Sequence, residues 1–297
     1  MVVYTSAWPS VPIIGESIFS HVFNSKLCTP EQVVYIDGPT GRRFTQANVK
    51  HAALSLAHGL RNELHTPNFR GPSLSRGDTV MIFSQNNILY PVFMWAIFAA
   101  GLRATPASSI ASPSEVKEQW IDSGSKVMIV SSLLVHNALV MFKLLKISPE
   151  DALSRMIIYS DGENVQLQRG FKLTRYEDLS TRGILSKEEP FDGKLSNETA
   201  LLCYSSGTSG NPKGVEVNIL LQSCTRRSFA INTLILFTPD NAQESHRAIG
   251  YAPVNRNSRN ARPVDDLPGS VLSRVWDGEL FNDTDLPRHR VGLDAKV

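Results

Sequence analysis

An uncharged stretch of 15 residues, 88–102 (ILYPVFMWAIFAAGL), does most to limit what this chain can fold into. A helix needs about 20 apolar residues to cross a bilayer, so this run is too short and no membrane span is expected. Its neighbours read as strands. Residues 79–84 (TVMIFS) are β-branched and aromatic and follow the turn Arg76-Gly77-Asp78, and 103–107 (RATPA) form a short extended piece. An apolar helix between two such runs is a βαβ unit, which calls for a buried and mostly parallel sheet.

The alternation continues on both sides. Ser112 can cap a helix, Pro113 suits its first position and Glu115 completes a capping box, so a helix is expected from there to about Asp122, stopping at Ser123-Gly124. Residues 126–131 (KVMIVS) read as a strand, 133–146 as a helix and 156–159 (MIIY) as the next strand. Upstream, 44–63 reads as an amphipathic helix with Val49, Ala53, Leu56 and Leu60 near one face. Residues 161–198 are polar and loop-like, and 200–204 (ALLCY) read as a buried strand. The fold class is therefore α/β.

Composition agrees. The 297 residues are 42% hydrophobic and 20% charged with a net charge of +2, which supports a substantial core and excludes wholesale disorder. The near-neutral balance gives no electrostatic reason for a nucleic acid or an anionic membrane as partner. Cys28, Cys203 and Cys224 are too widely spaced for a disulfide framework or a zinc site, and no signal peptide is seen, so a cytoplasmic chain is expected. Cys203, Trp95 and Trp120 are expected in the core. His51, His58 and His65 recur every seven residues and read as polar-face residues rather than metal ligands. The carboxylate pairs Asp265-Asp266 and Asp283/Asp285 read as solvated loop, and no metal site is expected.

The segment with the most chemistry runs from Tyr204 to Val215: Tyr-Ser-Ser-Gly-Thr-Ser-Gly-Asn-Pro-Lys-Gly-Val. Gly207 and Gly210 let the backbone turn and approach a ligand, and successive N–H groups in such a turn form an anion-binding nest. Ser205, Ser206, Thr208 and Ser209 add hydroxyl donors, and Lys213, aimed by Pro212, adds a compact positive charge. The combination suits a polyphosphate; a solvated turn with a surface lysine is the bland alternative. It is neither a Walker A loop nor a G-x-G-x-x-G fingerprint.

This segment resembles the phosphate-binding signature of the adenylate-forming superfamily of acyl-CoA synthetases, luciferases and peptide-synthetase adenylation domains. Ser209, in place of a second threonine, is its one mild departure. Other stretches fit the same family: Thr40-Gly-Arg-Arg-Phe-Thr45, Arg76-Gly77-Asp78, Phe83-Ser-Gln-Asn-Asn87 with Tyr90-Pro91, Ala99-Ala-Gly-Leu102 and Ser123-Gly-Ser-Lys126. Within the family the chain is most similar to 4-coumarate–CoA ligase-like enzymes. The resemblance implies a two-step reaction: a carboxylate attacks the α-phosphorus of Mg-ATP, and coenzyme A sulfur then displaces AMP to form a thioester. It also implies that Ser205, Ser206, Gly207, Thr208, Ser209, Gly210 and Lys213 hold the β- and γ-phosphates. ATP, Mg2+ and coenzyme A are the implied cofactors and a small-molecule carboxylate the implied substrate. A peroxisomal location occurs in the family, but no such signal is seen here.

The resemblance covers roughly residues 10–217, which gives a partial AMP-binding domain over 1–217 and an unassigned, irregular tail over 218–297. From residue 215 onward the chain holds nine arginines against one lysine, whereas ten of each precede that point. Position 219 is Ile219, where the family often has histidine, and no aromatic-Gly-x-Thr-Glu, Thr-Gly-Asp, hinge or C-terminal catalytic-lysine element is found. Two accounts compete: a shifted frame or retained intron, or a short paralogue. On either account this version is expected to be truncated and catalytically incomplete. The alternative function is a non-catalytic nucleotide- or polyphosphate-binding remnant.

Overall fold

The computed structural model describes residues 15–25, 28–160, 173–205 and 213–218. A short helix, α1 (Ile18–Phe23), precedes an antiparallel ribbon of β1 (Val33–Ile36) and β2 (Arg43–Thr45). The ribbon leads straight into α2 (Gln46–His58). The expected helix 44–63 thus begins two residues late, because Phe44 and Thr45 pair with β1 as strand. Thr45 then acts as the cap: its hydroxyl accepts the Asn48 N–H at 3.2 Å, and Asn48 Oδ1 accepts the Thr45 N–H at 3.0 Å. Val49, Ala53, Leu56 and Leu60 are all buried, as their spacing requires. The last turn, Gly59–Glu63, widens to π-helical geometry. A Cβ at Gly59 would lie 2.8 Å from the Leu179 carbonyl oxygen, so only glycine admits that neighbour.

The alternating units follow. They are β3 (Thr79–Phe83), α3 (Tyr90–Ala99), β4 (Arg103–Ala107), α4 (Pro113–Asp122), β5 (Ser125–Ser131), α5 (Val135–Leu144), α6 (Pro149–Ser154) and β6 (Met156–Tyr159). The Ser112 capping box forms as its sequence dictates, with Ser112 N–H donating to Glu115 at 2.7 Å and Glu115 N–H to Ser112 Oγ at 3.3 Å. α5 differs slightly from the expected 133–146: a 3-10 turn over Ser132–Leu134 precedes it, and the helix ends at Leu144.

The seven-stranded sheet runs β7-β6-β5-β3-β4-β8-β9, where β7 is Thr174–Arg175, β8 is Thr199–Ser205 and β9 is Lys213–Asn218. Every pair is parallel except β8–β9. The central strand, β3, is buried along its whole length and feeds two cores. Val80 and Ile82 face α2 and α3, with Phe93, Ile97 and Leu56. Met81 and Phe83 face α4 and α5, with Trp120, Leu139 and Phe142. α3 and α4 therefore cover opposite faces, as right-handed crossovers leaving β3 and β4 in opposite directions require. Trp120 is buried and Trp95 packs against the first core at a T-shaped 5.3 Å from Phe23.

Residues 173–198 are less irregular than their polarity suggests. They include β7, the helix α7 (Tyr176–Ser180) and a 3-10 turn, Gly193–Asn197. Between these the chain straps across the α2–α3 layer, with the Leu185 N–H donating to Leu54 O at 3.2 Å and Glu189 N–H to Ala99 O at 2.9 Å. Arg61 pairs with Glu189 at 2.5 Å, and Arg76 reaches Glu198 at 2.9 Å while stacking 4.3 Å over the Phe191 ring. Polar residues here are tertiary ties, which local pattern does not reveal. Among the described residues no helix is long and apolar enough to cross a membrane.

Candidate functional site

β8 lies parallel to β4, so Ser205 ends at the same edge as the C-termini of β3, β5 and β6. Ligands of open α/β sheets dock along that edge. β9 then returns antiparallel, with Ser205 opposite Lys213, Tyr204 opposite Gly214 and Cys203 opposite Val215. The two strands that flank the stretch expected to bind phosphate are therefore paired with each other up to Ser205 and Lys213. Of the residues expected to touch phosphate, Ser205 is the last of β8 and Lys213 the first of β9. Ser206, Gly207, Thr208, Ser209 and Gly210 lie outside the described residues. Lys213 is exposed and makes no ion pair among the described residues.

The hairpin is held from the α4 side. Thr105 on β4 donates its hydroxyl to Leu202 O at 3.1 Å, and Gln119 on α4 donates to Thr105 Oγ1 at 2.8 Å. One turn further along α4, Asp122 accepts the Tyr204 hydroxyl at 2.5 Å. Sequence reasoning did not find Gln119 or Asp122, since nothing local marks them as neighbours of residues 80 or more positions later. Cys203 departs from expectation too. It is exposed, not core, because the layer that partly covers Leu201 does not extend over the next residue of that face. Burial of its sulfur still pushes the thiol up, away from a reactive thiolate.

Beneath the same edge, at the ends of β3 and β6, Ser84, Asn87 and Tyr159 form a buried network. Ser84 and Tyr159 share a hydrogen bond, and Asn87 Nδ2 donates to Tyr159 Oη at 2.8 Å and to Ser84 Oγ at 2.9 Å. The Asn87 side chain also accepts the Leu89 N–H at 2.8 Å, which fixes the loop that starts α3. A separate cavity of about 480 Å3 opens beside α2 and α7, with Arg42, Arg43, Asn48, His51 and Tyr176 in its wall. It includes none of the residues expected to touch phosphate. His51 and His65 are exposed and His58 is half-buried. Among the described residues no group of three His, Cys, Asp or Glu side chains could hold a metal ion.

Three phenols carry a testable electrostatic signature. Burial pushes Tyr90 and Tyr176 up, and burial together with the hydrogen bond to Asp122 pushes Tyr204 up further. The unfolded chain releases these protons first, near the ordinary value of about 10. Stability is therefore full below that pH and is lost as pH rises through it. Spectrophotometric titration should show at least these three tyrosines ionising above the ordinary range, with an unfolding midpoint that falls over the same interval. Ionisation of every tyrosine at the ordinary value would contradict these burials.

The sequence matches the family model described as AMP-binding enzyme over residues 24–254, a match that runs past Val217. It is 26% identical to 4-coumarate–CoA ligase-like 3 of Arabidopsis thaliana, over 61% of this chain and 30% of that protein. It is 30% identical to a putative acyl-coenzyme A synthetase of Emericella nidulans, over 71% of this chain and 36% of the relative. The fold is similar to that of the anthranilate CoA ligase AuaEII in complex with anthranoyl-AMP, with a TM-score of 0.54, 18% identity, and 70% of this chain against 36% of that one. The chain thus spans about a third of the length of the curated relatives it matches.

Proposed function

We propose, from the premise that this chain belongs to the AMP-binding enzyme family, that its β8–β9 hairpin end holds the β- and γ-phosphates of ATP during carboxylate activation. In that reaction the carboxylate oxygen bonds to the α-phosphorus as pyrophosphate leaves, and coenzyme A sulfur later displaces AMP from the acyl-adenylate. The observation that carries the reading is the register of Ser205 opposite Lys213 at the ligand edge of the sheet. It gives a loop of hydroxyl and backbone N–H donors two fixed ends, one of them bearing a cation. Ser205, Ser206, Gly207, Thr208, Ser209 and Gly210 would donate to phosphate oxygens, and Lys213 would offset the charge that builds on the departing pyrophosphate. The loop performs no covalent step.

The Mg2+ that accompanies ATP would be held in part by the phosphate oxygens themselves. When bound it supplies further charge neutralisation. Coenzyme A and a small carboxylic acid enter the proposal through the names of the relatives, which are CoA ligases of differing acids. The proposal places the chain in the cytoplasm, which suits its free Cys28 and Cys203.

The alternative reading is a polyphosphate-binding chain that does not adenylate. ATP–pyrophosphate exchange with a panel of aromatic and fatty carboxylates, run beside equilibrium dialysis of Mg-ATP, separates the two. Exchange together with binding supports activation. Binding without exchange supports the second reading, and neither one overturns both.

A further inference from the structure

The hairpin end is fastened to α4 by one side-chain pair, and its surroundings suit that pair closely. Tyr204 and Leu202 project to the α4 side of β8, since they are two residues apart on a strand. Tyr204 stands directly opposite Gly214 on β9. A Cβ at Gly214 would lie 3.2 Å from the Tyr204 hydroxyl oxygen and ring Cζ, and 3.3 Å from Asp122 Oδ2. The phenol therefore lies across the bare glycine, and its hydroxyl reaches the Asp122 carboxylate at 2.5 Å. Asp122 is the last residue of α4, and three residues back the same helix is tied to β4 and β8 through Gln119 and Thr105. Positions three apart share a helix face, so α4 acts as a strut that contacts the hairpin at two heights.

The contact nearer the loop matters because, among the described residues, β8 pairs in parallel with β4 at Ala104 and Leu201, and the Thr105 hydroxyl reaches no further than Leu202 O. Past that point the last residues of β8 depend on β9 and on α4 for their placement. Phosphate recognition needs donors placed within a few tenths of an ångström, so sway of the hairpin end would cost affinity without unfolding the domain.

We propose that Asp122 is a positioning residue for the phosphate-holding hairpin, acting through the Tyr204 hydroxyl across Gly214. The inference rests on the phosphate reading above for its consequence, but the fastening itself is open to measurement without ligand. Asp122 touches no phosphate in this account.

The test uses the full chain and inorganic tripolyphosphate as probe. Tyr204→Phe and Asp122→Ala should each weaken tripolyphosphate binding about three- to ten-fold, matching the loss of one hydrogen bond. The double variant should be no worse than either single one, because both remove the same bond. Asp122→Asn, whose amide oxygen still accepts, should retain most of the affinity, and Gly214→Ala should mimic Tyr204→Phe by displacing the ring. In the free chain, amide hydrogen exchange at Ser205, Lys213 and Val215 should quicken in Tyr204→Phe and Asp122→Ala, while exchange at Ile129 and Ile157 stays unchanged. Unchanged exchange at the hairpin in both variants, or additive losses in the double variant, would overturn the proposal. Wild-type chain that fails to bind tripolyphosphate overturns the phosphate reading instead, and the exchange measurement still judges the fastening.

Discussion

Lys213→Ala is expected to weaken binding of Mg-ATP and of tripolyphosphate by ten- to a hundred-fold while leaving the fold intact. Lys213 begins β9 as an exposed side chain without an ion-pair partner among the described residues, so its removal deprives no buried group. Surface changes of that kind alter stability by about 0.5 kcal/mol or less. Its charge-assisted bonds to phosphate, in contrast, are worth about 1.5–3 kcal/mol. Lys213→Arg should restore part of the loss, since charge is kept while the shape of the donor changes. Isothermal calorimetry decides the matter: equal affinities for wild type and Lys213→Ala would show that this lysine is ordinary solvated surface.

The largest effect on stability is expected from Phe93→Ala in α3. Phe93 is fully buried, with its ring 5.0 Å from that of Tyr159 and 5.5 Å from that of Tyr176. It joins α3 to β6 and α7, so truncation opens a cavity at the centre of the first core. Such changes cost about 3–5 kcal/mol, a large share of the roughly 5–15 kcal/mol that holds a domain together. The loss should also loosen Tyr159 and, through it, the bonds to Ser84 and Asn87. Leu144→Ala, on the exposed side of α5, is the control and should change little. Denaturant melts check the pair. A Phe93→Ala cost below about 1 kcal/mol would mean that α3 is not packed on this face.

These two residues mark what sequence could and could not reveal. Phe93 sits in an apolar run whose length and flanking strands already required a buried helix, and Lys213 sits in a motif whose residue types suit the phosphate ligand proposed for it. The α4 start was equally plain, because Ser112, Pro113 and Glu115 are local signals acting on local backbone. Where the partner is distant, reading failed. Phe44 and Thr45 looked helical until β1 paired with them, and residues 173–198 looked like loop although Arg61 and Arg76 bind Glu189 and Glu198 there from across the domain. Cys203 looked buried because 200–204 is evenly apolar, whereas its exposure depends on where a helix layer stops. β9 went unseen beside the Pro-Lys-Gly corner, although Val215 and Val217 alternate as a strand should. Asp122 carried no sequence signal, since its meaning arises only when the hairpin folds against it.

The central claim, that the β8–β9 hairpin end receives phosphate, is tested most directly by nuclear magnetic resonance of the labelled chain titrated with tripolyphosphate. Saturable shifts are predicted for the amides of Ser205, Lys213 and Gly214, giving way to those of the ATP complex when excess ATP is added, with Ile129 and Ile157 at rest. No shift at these three amides, or shifts centred instead on Arg42, Arg43 and His51 beside α2, would contradict it.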